Sequence, residues 1–353
     1  MNTSVLKERN SNLELFRIIT MFIIVAHHYV VNSGFIALIN NDSLITFNNM
    51  FLLLFGWGGK TGINCFVMIT GYFMCKSTLT LQRYLKLLLE VVFYRIVFYI
   101  IFAIGGYIDF GIIGFFKALT GFTSISTGFT SSFLVFYLFI PFLNILINNM
   151  NKKMHLLLIT LCLGIHTALP SLTLAFPSFS YVSWFMIIYL IAAYLRCYPD
   201  KYVENKKLWN CIFALSILFS LLSVVVGTVL EKKLGTKIIH YFFVADSNKI
   251  LALVTGVSSF MFFKNLNIPQ SKIINKISSA TFGVLLIHAA NDSMRIWLWE
   301  DFLKTTNFYN SKFLIVHAIG SVALIYIVCT LIDMLRIKFL EKPLFNKLDN
   351  YLK

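Results

Sequence analysis

Ten apolar stretches, each of membrane-spanning length, constrain this chain more than any other feature. They run at about 13–33, 50–75, 84–106, 131–148, 154–172, 181–198, 208–230, 248–264, 278–296 and 312–335. A spanning helix needs about 20 predominantly apolar residues, and the alternating pattern of a membrane β-barrel is absent. The expectation is an all-α integral membrane protein, a bundle of about ten transmembrane helices. Composition agrees: 58% of the 353 residues are hydrophobic and 13% are charged, more apolar surface than a soluble domain of this length needs. Two stretches are interrupted, the fifth by His166 and Pro170, the ninth by His288, Asn291 and Asp292.

The net charge of +15 would suggest nucleic acid in a soluble protein. Here the basic residues sit between apolar spans, where they set membrane orientation, so nucleic-acid binding is not expected. Of the thirty Lys and Arg residues, Lys60 and Arg95 fall inside spans; of the rest, twenty lie on the side of the N-terminus and eight on the other. Both termini are therefore expected in the cytoplasm, with an even number of spans. Lys7 and Arg9 before an apolar run resemble a secretory leader. That run is too long, holds Arg17 and two histidines, and lacks an A-x-A exit, so it is expected to remain as the first span. One domain over 1–353 is the expectation, with no soluble catalytic domain appended. Six scattered cysteines form neither a CxxC nor a Cys/His metal spacing, and no metal is expected.

Ionisable groups inside spans are costly and mark function. Arg17 and His28 lie in the first stretch, eleven residues apart, so the two point within roughly 20° of each other on a helix and about 16 Å apart along it. His27 points about 80° away from Arg17. Glu14, three residues before Arg17, can hold the guanidinium in place. A guanidinium near one surface suits phosphate or another anion, and a deeper imidazole suits a general base. In WGGKTGINCFVMITGY (Trp57–Tyr72) Lys60 reaches a depth comparable with His28, where a buried cation stabilises developing negative charge. GGKT is not a phosphate loop, because Leu54 stands where that motif needs Gly. The glycines at 58, 59 and 62 allow close helix packing or a broken helix lining a cavity. Glu90 and Arg95 in span three sit about 140° apart on a helical wheel, so each needs a partner elsewhere. His288, Asn291, Asp292 and Arg295 form a polar cluster at one end of span nine, suited either to a hydroxylated acceptor or to a capped helix end. The hydroxyl-rich loop Gly121–Ser132 could meet a sugar or be a plain flexible loop. His155, His166, His240 and His317 show no partner pattern and are expected to be structural.

NLELFRIITMFIIVAHHY (Asn12–Tyr29) resembles the opening of the acyltransferase-3 family of integral membrane acyltransferases, whose mark is Arg, ten residues, then His. Arg17 and His28 fill those positions. Further similar blocks follow in order: GINCFVMITGYF (Gly62–Phe73), FIPFLN (Phe139–Asn144), WFMIIYLIAAYLR (Trp184–Arg196), TFGVLLIH (Thr281–His288) and EKPLF (Glu341–Phe345). The resemblance implies transfer of an acyl group, usually acetyl, from cytoplasmic acyl-coenzyme A to a hydroxyl of a cell-surface or exported polysaccharide or its lipid-linked precursor, in a bacterial plasma membrane. Acetyl-coenzyme A is then a donor substrate, not a bound cofactor. On this reading Arg17, Glu14, Arg83 and Lys86 meet the donor, and His28, Arg17 and Lys60 carry the chemistry. His288, Asn64 and Asn291 meet the acceptor. A transporter that moves a glycan without covalent chemistry is the alternative, although no inverted repeat is visible.

Overall fold

The computed structural model describes residues 10–39, 44–122, 124–235 and 240–351. Lys7, Arg9, Thr123, Lys237 and Lys353, all weighed above, lie outside that set. Among the described residues 76% are helical and none is in a strand. Seven helices are long and apolar enough to cross a membrane: Ser11–Val31, Phe47–Met74, Leu81–Ile104, Phe129–Asn148, Lys152–Ser171, Lys206–Leu234 and Leu314–Leu348. The other three expected spans take different forms. Tyr181–Cys197 and Ile250–Lys264 are apolar but shorter, and Lys272–His288 with Asp292–Phe302 is a pair bent by 96°.

Each interruption visible in the sequence has a local cause. In the fifth span the helix widens to a π turn at Gly164–Ala168 ahead of Pro170, whose missing N–H breaks the regular ladder. In the ninth, Asn291 is extended (φ −159°, ψ 179°) and its side chain accepts the Met294 amide at 2.7 Å, which starts a new helical turn at the bend. The second span breaks at Trp57–Gly58, between α2 (Phe47–Gly56) and α3 (Gly59–Met74).

Helix α1 (Ser11–Val31) starts at Asn10, whose side chain accepts the amides of Asn12 and Leu13. It runs through the centre of the bundle and packs against α3, Ile250–Lys264, Lys272–Ser279 and Leu314–Arg336. The glycines of α3 make this possible. A Cβ at Gly59 would stand 2.1 Å from the His27 ring, and one at Gly62 would stand 2.7 Å from Ile24. Tyr181–Cys197 is apolar on every face and buried on every face, with Trp184, Phe185, Ile188, Tyr189, Ala192 and Ala193 among its core residues. It meets α3 where Gly71 would otherwise clash with Ala192.

A buried charge network ties the Arg17 end of the bundle together. Arg336 reaches Glu90 at 3.0 Å, Asp333 at 2.6 Å and Glu341 at 2.8 Å. Glu341 also pairs with Lys86 at 2.5 Å, and the Tyr94 hydroxyl donates to Asp333 at 2.8 Å. The partner that Glu90 required therefore comes from the last long helix. Gly283 is needed there as well, because a Cβ would stand 2.1 Å from the Asp333 carboxyl carbon.

Candidate active site

At the other end of α1, a cavity of about 470 Å³ opens between segments from across the bundle. Its walls include His27 and His28 of α1, Lys60 of α3, Tyr181, Asn291 with Arg295, and the Ser124–Ser131 loop. This is the size of a site for a small molecule, roughly 300–1,000 Å³.

His28 faces the cavity and its ring is anchored behind. His28 Nδ1 lies 2.9 Å from His288 Nε2, and His288 Nδ1 lies 2.6 Å from the Val284 carbonyl. A carbonyl only accepts, so His288 Nδ1 carries the hydrogen and donates it. With both rings neutral, His288 Nε2 accepts and His28 Nδ1 must donate. That fixes the His28 tautomer and leaves its Nε2 with a free lone pair, the form a general base requires. His27 points elsewhere, its Nδ1 bonded to the Gly56 carbonyl at 2.5 Å where the second span breaks.

Lys60 does not simply extend to the surface. Its ammonium donates to the Tyr181 hydroxyl at 2.9 Å and lies 3.9 Å from Asp246. It shares the cavity wall with His28, so the two groups singled out in separate segments meet in one space. The loop Gly121–Ser132 is likewise not a plain flexible connection. Ser131 bonds the Gly121 carbonyl, Ser126 accepts the Tyr181 amide, and Ser124, Thr127 and Thr130 line the cavity.

Two residues expected to meet an acceptor sit differently. Asn64 is fully buried and turned away: its amide donates to the Ser247 and Ala252 carbonyls, and its oxygen accepts the Trp184 indole N–H at 2.9 Å. With those groups occupied it braces α3 against its neighbours. His288 is also fully buried and holds His28 instead of lining the cavity. Asn291 does both things that its sequence allowed, capping a helical turn and lining the wall.

Arg17 lies outside the cavity lining. Its side chain is a quarter exposed and lies 3.8 Å from Glu14, which is buried and also accepts the Ser278 hydroxyl. Between Arg17 and His28 on the same stripe, Met21 and Ile24 are buried. Arg83 bonds Ser77 and the Thr78 carbonyl, and with Lys86 it lines a second, smaller cavity of about 220 Å³.

Tyr181 and Arg95 complete the large cavity without having been marked as site residues by the sequence, and Arg295 joins them from the polar cluster of span nine. Tyr181 opens an otherwise apolar helix and meets Lys60 across 121 positions, a pairing with no local signal. Arg95 and Arg295 were visible as ionisable residues in or beside spans, but nothing in the sequence placed them on one wall.

No curated protein and no solved structure matches this chain. The profile of the acyltransferase-3 family, described as an acyltransferase domain, matches residues 10–334. On that match, which takes in nearly the whole chain, the protein belongs to the acyltransferase-3 family and is a multi-pass membrane acyltransferase.

Proposed function

We propose that the protein is an O-acetyltransferase of a bacterial plasma membrane. It moves an acetyl group from cytoplasmic acetyl-coenzyme A to a hydroxyl of a cell-surface or exported polysaccharide, or of its lipid-linked precursor. The observation that carries this reading is the His28–His288 pair with Lys60 on the same cavity wall. The two shorter helices and the bent pair complete about ten spans, with both termini and Arg17 on the cytoplasmic side and the large cavity in the outer half.

Arg17, braced by Glu14, meets the phosphates or pantetheine of the donor, with Arg83 and Lys86 in the same basic mouth. The thioester passes along the α1 stripe, which requires Met21 and Ile24 to part from their neighbours. In the cavity the acceptor oxygen attacks the thioester carbonyl and its proton passes to His28 Nε2. Lys60 stabilises the tetrahedral oxyanion. The carbon–sulfur bond then breaks, and coenzyme A leaves as a thiolate that takes the proton from His28.

The test is His28→Ala. Purified in detergent, it should lose consumption of the acetyl-coenzyme A thioester in the presence of a glycan acceptor, while its membrane level and thermal unfolding match the parent. Undiminished consumption by that variant would remove His28 from the chemistry. A parent protein that binds glycan and never consumes thioester would favour the transporter instead.

A further inference from the structure

The large cavity is more cationic than acyl transfer to a neutral sugar requires. Among the described residues, Lys60, Arg95 and Arg295 line it against a single lining carboxylate, Asp292. Asp246 stands outside the lining, 3.9 Å from Lys60. Arg295 gives one terminal nitrogen to Asp292 at 2.8 Å, but that carboxylate is 90% exposed. The Arg295 Nε is buried and has no hydrogen-bond partner among the described residues. Arg95 sits on span three, where it donates to the Lys117 carbonyl at 3.5 Å and adds a second guanidinium to the same cavity. The unpartnered Arg295 Nε is therefore available to a ligand, and the guanidinium fork matches the oxygens of a carboxylate or phosphate. The remaining polar lining, Asn291 with the hydroxyls of Ser124, Thr127 and Thr130, offers neutral hydrogen bonds of the kind a sugar ring takes.

We propose that the acceptor is an anionic saccharide, a glycan carrying a carboxylate or phosphate next to the hydroxyl that is acylated, and that Arg95 and Arg295 select it. The inference rests on reading this cavity as the acceptor site. Lys60 serves the reaction centre beside His28, and the two arginines hold the anion on the wall formed by span three and the Asp292–Ile296 turn.

Equilibrium binding without any donor separates this proposal from the acyl-transfer reading. The detergent-purified protein is titrated with a uronic-acid oligosaccharide, a sugar-phosphate oligomer and a neutral oligosaccharide of the same length. At least one anionic ligand should bind roughly tenfold or more tighter than the neutral one, the change that one charge-assisted hydrogen bond supports. The anionic arm that wins identifies carboxylate or phosphate as the source of the charge. The preference should shrink as salt is raised, and should fall in Arg95→Gln and Arg295→Gln. The parent comparison and its salt dependence need no variant, so a misfolded variant does not obscure the result. Equal binding across the three ligands, including no binding at all, overturns the proposal. So does a pair of arginine variants that weaken acetyl-coenzyme A binding but not glycan binding. Selective anion binding without thioester consumption would sustain this proposal and defeat acetyl transfer.

Discussion

His28 Nδ1 and His288 Nε2 stand 2.9 Å apart, and the Val284 carbonyl behind them dictates which nitrogen of each ring carries its hydrogen. His288 is thus a positioning residue for His28, the base of the proposed reaction. Replacing His288 with Ala should lower kcat by roughly 100-fold or more, within the range attributed to general-base catalysis, and leave KM for acetyl-coenzyme A unchanged. His288→Gln should recover part of the loss, because an amide oxygen can still accept from His28 Nδ1. Steady-state kinetics that show no split between Ala and Gln would remove the orienting role.

Lys60→Met should reduce kcat about 100- to 1,000-fold, the usual cost of removing one donor to a developing oxyanion. Tyr181→Phe should cost less, because Lys60 keeps Asp246 nearby while losing its 2.9 Å hydroxyl partner. Kinetics of the two purified variants order the effects, and the reverse order would place the chemistry on Tyr181.

Gly59→Ala puts a Cβ 2.1 Å from the His27 ring, and His27 adjoins His28, the proposed base, on α1. Overpacking of this kind costs about 1–3 kcal/mol, read as a lower thermal midpoint in detergent. Activity should fall with it. Gly164→Ala, where no atom stands within 4 Å of the added carbon, is the control and should leave both unchanged.

Arg336→Met leaves Glu90, Asp333 and Glu341 buried around a neutral side chain. Breaking a buried network by removing its central cation costs about 3–5 kcal/mol. Adding Glu90→Gln to that variant should restore part of the loss. Thermal unfolding followed by size-exclusion chromatography checks both, and additive losses would show that the pair does not interact.

Asp200 lies in the connection after Tyr181–Cys197, outside the spans. A hydrogen bond from Lys152, joined by the Val203 and Tyr202 amides, holds its carboxyl down at about 2, below the ordinary 3.8. The fold therefore favours the ionised form. That contribution is fully present above about pH 4 and disappears as pH falls through about 2. A carbon-13 NMR titration of the Asp200 carboxyl should find its midpoint near 2, and a midpoint near 4 would show that the loop is not held.

The alignment of Arg17 with His28 was legible because it depends on one helix and its 3.6-residue period alone. The break before Gly59 and the interruptions at Pro170 and Asn291 were legible for the same reason, as local backbone chemistry. What the sequence concealed were pairings across the bundle. Glu90 plainly needed a counter-ion, yet Arg336 is set beside it only by the packing of Leu314–Arg336. Asn64 reads as a polar group in an apolar helix, which tells that it must be satisfied but not by what. Trp184 and two carbonyls satisfy it, and these pairings hold α3 to its neighbours.

The helix Tyr181–Cys197 has 17 residues, about 25 Å at 1.5 Å per residue, against about 30 Å of hydrocarbon in a typical bilayer. Its middle residues, Ile187–Ala193, are buried by the rest of the protein. Its first residue, Tyr181, stands in the wall of the large cavity and meets Lys60. On the proposed reading, a donor arm that enters beside Arg17 crosses less than a bilayer's depth before it reaches Lys60 and Tyr181.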